Sequence, residues 1–572
     1  MAPDQLEDPR LMWVNTKIVQ LEHKGNIVFN LKFVDLFWSR SVRHALDLHV
    51  ERGEWDNYAS KIVLAFATTF SVFVAVVLYG APVASQDELW QAIKDVSSLY
   101  GALIAGLYVS MVLYRTLLHP LRRFPGPFAA KISGVYATRL ARKNEQFFIE
   151  AKKLHETYGD FVRLGPSEIS IAHPKAVQAL HANSSPCSKG PWYNTQLPAR
   201  SVHTTRDRED HGRRRKVWDQ GFSSKSLRDY EPRVRTYTNQ LLSQIDAKKY
   251  GAINVSKEFN LYSFDVMGNL AFGKNFGLIM SQKMHPAMEL LQATTALSGM
   301  LMHMSWVVLF GRNIPLLTRH LKSFERWLDE QTRERMENEP DIPDVFSWVL
   351  GDYRSKVQPT KQDYIDLCGD SMLIVVAGSD TTATSLTCLF LQLTQNPAKC
   401  RKLQEEIDKY FADREGTDHA SLAKLPYLQA CIDESLRLYP PVPSGLQRVT
   451  PPGGIRVENT FIPGDTIVQV PSYTLYRDQR VFPRPDEFVP ERWTSEPELV
   501  KDKGIFAPFS IGKQLGLMEI RTVTAELLRR YNVSLAPGQS VKAFTDKLVD
   551  GFTLSCPKLD IIFTPRDKGS QV

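Results

Sequence analysis

Three stretches of this chain combine residue types that do chemistry when held together. His211 and Arg215 stand four apart, so on a helix they share one face. Two such donors can clamp a carboxylate, the guanidinium through two parallel bonds. A plain solvated basic face fits the same residues, because Arg213, Arg214 and Lys216 lie among them. The second stretch is Ala377-Gly378-Ser379-Asp380-Thr381-Thr382, inside an apolar run from about 364 to 395. Glycine weakens a helix interior, and Thr hydroxyls compete for the i−4 carbonyl. Such a local conflict predicts an opening or bulge kept for function, with Asp380 and Thr381 as a proton relay. A polar seam between packed helices would read the same way. The third is Glu434-Ser435-Leu436-Arg437, whose ends share a helix face and can pair. In water that pairing is worth only a few tenths of a kcal/mol.

These residues need elements to hold them. From about 206 to 420 the pattern is mainly helical, with amphipathic runs broken at Gly and Pro. Gly159 to His173 alternates as a hairpin around Gly165-Pro166, and strand signals return at 445–475. The fold class is therefore mainly α with small β-sheets. Ile62 to Leu78, with Tyr79 to Val83, is long and apolar enough to span a bilayer. Leu99 to Leu118 is a second such run, with Arg115 near its end. Arg40, Arg43, Arg52 and Lys61 precede the pair, and Arg115, Arg122 and Arg123 follow it. The intervening loop carries Asp87, Glu88, Lys94 and Asp95. By the positive-inside rule both flanks face the cytosol and the loop faces the lumen. The expected organisation is a polar segment 1–60, a membrane anchor 61–118, a proline-rich hinge 119–130 and a catalytic domain 131–572.

Lys and Arg total 70 against 63 Asp and Glu, a net charge of +7 in 572 residues. That allows a basic docking face but makes no case for nucleic acid. The six cysteines are scattered, with no Cys-x-x-Cys pair and no zinc spacing, which suits a reducing compartment. The sequons at Asn183, Asn254 and Asn532 then face the cytosol and carry no glycan.

The three constellations, in this order and at these spacings, resemble the cytochrome P-450 family from about residue 119 to 565. In that family a His or aromatic residue and an Arg four residues on bind a haem propionate, a role that falls on His211 and Arg215. The Ala377–Thr382 stretch resembles the family's oxygen-activation motif, with Asp380 and Thr381 in the catalytic positions. The segment Phe488-Val489-Pro490-Glu491-Arg492-Trp493 resembles the motif whose Arg completes a buried network beneath the haem. That network here is Glu434, Arg437 and Arg492, a positioning device more than a source of stability. Arg448 falls where members often place another propionate contact. His119 to Pro127 resembles the hinge that sets a membrane-bound member against its bilayer.

The resemblance implies a cytochrome P-450 fold preceded by transmembrane helices, haem b as cofactor, and a small hydrophobic substrate. It also implies electrons from an NADPH-dependent flavin reductase and a place at the endoplasmic reticulum membrane. The flanking wording is similar to that of fungal secondary-metabolism monooxygenases acting on prenylated indole alkaloids. Substrate contacts are expected in Cys187–Val202, Thr294–Leu317, the helix before Thr382, Pro441–Gln447 and Phe552–Leu554. The haem-binding loop of the family runs Phe-Ser-x-Gly-x-x-x-Cys-x-Gly into a helix. Phe509-Ser510-Ile511-Gly512 matches its start and Lys513 to Glu519 the helix, with Phe509 and Gly512 as cofactor-binding positions. The residues between, the cysteine that ligates iron among them, are missing between Gly512 and Lys513. A cytochrome P-450 needs that thiolate. Two explanations stand: an in-frame error in the gene sequence, or a true deletion leaving a catalytically inactive, P-450-like ligand-binding protein. A haem enzyme doing rearrangement or dehydration is a third use of the same fold.

Overall fold

The computed structural model describes residues 55–80, 85–316, 318–509 and 512–566. Most of the polar segment at 1–60 lies outside them, as do Ser510 and Ile511 of the loop before Gly512.

The anchor is two helices, α1 (Ala59–Gly80) and α2 (Gln86–Leu113), running on into a π-type turn at Tyr114–Leu118. Both are long and apolar enough to cross a membrane. They pack on each other, with Tyr100 edge-on to Phe70 and Phe73 at 5.3 and 6.0 Å. One expectation is corrected here. Asp87, Glu88, Lys94 and Asp95 are not in a loop; they form the first turns of α2. A capping box explains the early start: Ser85 accepts from the Glu88 N–H and Glu88 accepts from the Ser85 N–H. Both ends of the anchor touch the globular body. Asn313 donates to Ser60 at 2.8 Å, and Arg115 donates to the Ile132 carbonyl at 2.6 Å. The hinge is seated against the first sheet, where the Arg163 N–H donates to the Pro125 carbonyl at 2.8 Å.

The helices that position the site follow in order: α3 (Arg208–Gly221), α4 (Ser224–Lys248), α5 (Val255–Phe272), α6 (Pro286–Met300), α7 (Ser305–Gly311), α8 (Lys361–Gln395), α9 (Pro426–Leu438) and α10 (Lys513–Arg530). The core is built on α8, which packs most extensively against the nearly all-buried α5 and also against α9 and α10. Thr360 and Asp363 cap its start reciprocally, and from Thr382 to Leu393 every side chain is buried. By length and composition α8 also passes as a membrane span, but most of it is enclosed by the globular body.

Among the described residues twelve short strands form four sheets. They are β1 (Phe161–Gly165), β2 (Glu168–Ile171), β3 (Ser188–Lys189), β4 (Ala252–Asn254), β5 (Arg448–Val449), β6 (Ile455–Val457), β7 (Thr460–Ile462), β8 (Ile467–Gln469), β9 (Tyr531–Leu535), β10 (Val549–Gly551), β11 (Thr553–Ser555) and β12 (Asp560–Pro565). The largest sheet has the order β1-β2-β8-β5-β3, parallel only between β2 and β8. The expected hairpin at 159–173 is β1–β2, and the strand signals at 445–475 are β5 to β8.

Candidate functional site

The middle of α8 is an unbroken helix, which corrects the expected opening around Gly378. The hydroxyls of Ser379, Thr381, Ser385 and Thr387 each donate to the carbonyl four residues back, at 2.7 to 2.8 Å. Those bonds absorb the polar residues without breaking the backbone ladder. Gly378 lets α5 come close, because a Cβ there would run into the Met267 side chain. On the adjoining face Ala377 is exposed and Asp380 and Thr381 are only half-buried, although the turns that follow are sealed. A small residue and a hydroxyl thus lie on a part of α8 that its packing leaves uncovered, where a flat cofactor has room to approach. No described residue bonds to the Asp380 carboxylate, and burial pushes its pKa up to about 6.

A second cluster is set by sheet register. Lys189 on β3 stands directly opposite Arg448 on β5. Like charges facing each other across strands are destabilising. His203 and His211, the latter on α3, lie close enough to feel both cations. Burial, then Arg448, lowers the Lys189 ammonium to about 7. Burial, then Lys189 and Arg448, lowers His203 to about 3, and burial followed by Lys189 lowers His211. Lys189 donates to the Val202 carbonyl at 2.8 Å, and Arg448 to the Tyr193 hydroxyl at 3.4 Å. Among the described residues none of the four is ion-paired with a carboxylate. An anionic ligand would relieve this excess of positive charge. Sequence reading found His211 and Arg448 but missed Lys189 and His203, which have no motif; strand pairing brings in Lys189, and ring contacts with Tyr193 and Phe552 hold His203.

Arg215, half-buried and close enough to His211 to help lower its pKa, is bonded to Asp219 at 2.8 Å. Arg214 takes the buried position on α3, reaching Asp210 at 2.8 Å, Asp366 at 2.6 Å and Asp370 at 3.1 Å. It locks α3 onto α8. Three carboxylates share one guanidinium, and burial raises Asp370 to about 7.

Glu434, Arg437 and Arg492 meet as a fully buried group. Arg437 reaches both Glu434 oxygens, at 2.9 and 3.0 Å, and Arg492 donates to Oε1 at 2.9 Å. The Trp493 indole and the Val489 N–H also donate to Glu434, each at 2.9 Å. Arg437 further donates to the carbonyls of Tyr476, Pro485 and Glu487, and Arg492 to those of Pro483, Arg484 and Leu499. With every guanidinium nitrogen engaged, the group fixes the 476–499 segment on α9.

The expected substrate segments also converge. Trp192 stacks on Phe552 at the β10–β11 turn, with ring centres 4.5 Å apart. His203 stands edge-on to both Tyr193 and Phe552, and Gln447 donates to the Met302 carbonyl at 3.2 Å.

The loop before α10 is where a porphyrin iron would be held. Phe509 is half-buried on the main core, and Gly512 caps α10. Gly516 brings α10 against α8: a Cβ there would stand 3.8 Å from the Thr382 hydroxyl. No cysteine occurs between Cys431 and Cys556, and no histidine after His419. Met518 is fully buried within the α10 packing. The residues present therefore fit the carboxylates and the flat face of a haem but offer no thiolate to its iron.

The family model for cytochrome P450 matches residues 134–563. The chain is 50% identical over 521 residues to cytochrome P450 monooxygenase FCK2 of Fusarium pseudograminearum, covering 90% of this chain and 94% of that one. It is 39% identical over 487 residues to tryprostatin B 6-hydroxylase of Aspergillus fumigatus, covering 83% and 86%. Among solved structures it is similar to the cytochrome P450DA heme domain, with a TM-score of 0.64 and 16% identity over 75% of this chain and 96% of that one.

Proposed function

The chain belongs to the cytochrome P450 family, and on that premise we propose a membrane-anchored monooxygenase that hydroxylates a hydrophobic secondary metabolite. The enzyme type and the haem iron follow from the family. The finer reading is a substrate of the indole alkaloid class, supported by the likeness to tryprostatin B 6-hydroxylase and by the stacked Trp192 and Phe552. In this reading His211, Arg215 and Arg448, joined by Lys189 and His203, receive the haem carboxylates. Asp380, held near about 6, exchanges protons near neutral pH, and Thr381 stands one residue away on the open side of α8. Electrons come from an NADPH-dependent flavin reductase, and the catalytic domain sits in the cytosol at the endoplasmic reticulum. The observation that carries the reading is the facing of Lys189 and Arg448 across β3 and β5 with no carboxylate partner among the described residues, in a chain whose family match spans residues 134–563.

The iron ligand decides between this and a second reading. We propose that the thiolate belongs between Gly512 and Lys513 and is missing from this 572-residue chain. The absence of any cysteine from 432 to 555 favours the alternative, an inactive ligand-binding protein, for the chain as it stands. The test is to sequence the transcript from the codon for Pro508 to that for Glu519. Both proteins are then expressed with haem and their reduced carbon monoxide spectra compared. Added in-frame codons with a cysteine, and a thiolate-type band only in the longer protein, support the monooxygenase. A transcript without them leaves the ligand-binding reading.

A further inference from the structure

We propose that Cys388 and Cys556 form a reversible redox modification site joining α8 to the segment after β11. Their sulfurs lie 3.7 Å apart, and they are the one pair of sulfurs in contact among the six described cysteines. A disulfide needs about 2 Å between sulfurs, so closure is a matter of side-chain rotation and a small shift. The two segments are already pinned together. The Thr384 hydroxyl, one turn before Cys388, donates to the carbonyl of Leu554, two residues before Cys556, at 2.6 Å. On the far side the Ser256 hydroxyl holds the Pro557 carbonyl at 2.7 Å.

The two thiols are not equivalent. Cys388 is fully buried. Cys556 is half-buried and lines an open surface pocket with Asn260, Met284, Lys257 and Lys558. A small oxidant therefore reaches Cys556 first. With hydrogen peroxide as that oxidant, the Cys556 sulfur attacks the O–O bond. It becomes a sulfenic acid, and water leaves. The Cys388 sulfur then attacks the sulfenic sulfur. The S–S bond forms, and the hydroxyl departs with the Cys388 proton as a second water. Two thiols and one peroxide give one disulfide and two waters, and a dithiol reverses the change. Cys388 lies seven residues beyond Thr381, about two turns along the same face of α8. The bond thus ties the helix that carries the Asp380-Thr381 site to the hairpin that carries Phe552.

The test uses the full-length protein in detergent, first reduced, then exposed to graded hydrogen peroxide. Free thiols are blocked and the tryptic peptides mapped by mass spectrometry. The expected result is a crosslinked peptide pair holding Cys388 and Cys556, with a loss of two free thiols that dithiothreitol restores. Cys556→Ser should leave Cys388 reduced at the same peroxide dose. Cys388→Ala should stop Cys556 at a sulfenic acid that dimedone labels. Should Cys388→Ala not fold, the wild-type map and Cys556→Ser still decide. Over-oxidation of Cys556 without a crosslink, or a crosslink to any other cysteine, overturns the proposal, as does a full count of free thiols after peroxide.

Discussion

Asp370 is a carboxyl whose protonation the fold controls through burial. It accepts from the Val202 N–H at 3.0 Å and from Arg214 at 3.1 Å. Burial is the largest influence on it and raises its pKa to about 7; Arg214 pulls the other way and Asp366 adds to the rise. A carboxyl whose folded pKa lies above its unfolded value binds its proton more tightly in the folded state. Its contribution to stability is present at the acid end and is lost as pH rises from about 4 to about 7. Asp370→Asn keeps an acceptor for the Val202 N–H and removes the titration. The melting temperature of the variant minus that of the wild type should therefore grow more positive between about pH 5 and about pH 8. A difference that stays flat across that range contradicts the assignment. The histidines at 155 and 203, held down to about 4 and about 3 by burial, work in the opposite sense in both proteins and cancel in the difference.

At the scale of elements, α8 makes two close approaches at glycines, Gly378 against the Met267 side chain and Gly369 against a backbone. A Cβ on Gly369 would stand 2.8 Å from the Arg200 carbonyl oxygen and 3.3 Å from the Arg200 nitrogen. Backbone cannot yield as the end of a methionine can. Gly369→Ala should cost roughly 1–3 kcal/mol by overpacking. Gly351, inside the helix Val345–Arg354, meets nothing within 4 Å. Gly351→Ala should instead add up to about 1 kcal/mol through helix propensity. Denaturant unfolding of the two variants reads both; equal effects would refute the argument.

The same scale explains what was legible beforehand. The Glu434–Arg437 pairing was readable because its partners lie within a turn of each other, whereas the opening expected in α8 was not, because hydroxyl bonds to the i−4 carbonyls absorb its polar residues without breaking the helix. The basic cluster was only half readable, since Lys189 meets Arg448 through strands far apart in sequence. Arg214 was not singled out, because i,i+4 spacing does not say which face of α3 meets α8. The charges of α2 read as a loop because the capping box at Ser85 was not weighed against them.

For the whole molecule the remaining question is orientation across the bilayer. The start of α1 and the turn after α2 both bond to the globular body, through Ser60 and Arg115. A hairpin of two spans whose ends meet one body must leave that body wholly on one side. By the positive-inside rule the cations at Lys61, Arg115, Arg122 and Arg123 predict the cytosolic side for that body. Asn254 and Asn532 then never meet the glycosylation machinery. Their side-chain oxygens are also engaged, Asn254 accepting from the Lys257 N–H and Asn532 from Gln404. A long flexible loop carrying an acceptor sequon, inserted after Val83 between the spans, reports on the other side. Expressed in microsomes, that protein should gain one endoglycosidase-sensitive step in gel mobility, while the native sequons at Asn183, Asn254 and Asn532 stay unmodified. Modification of Asn183, with the inserted site untouched, would invert the topology. It would also place the six cysteines in an oxidising lumen, where Cys388 and Cys556 would be joined from the outset.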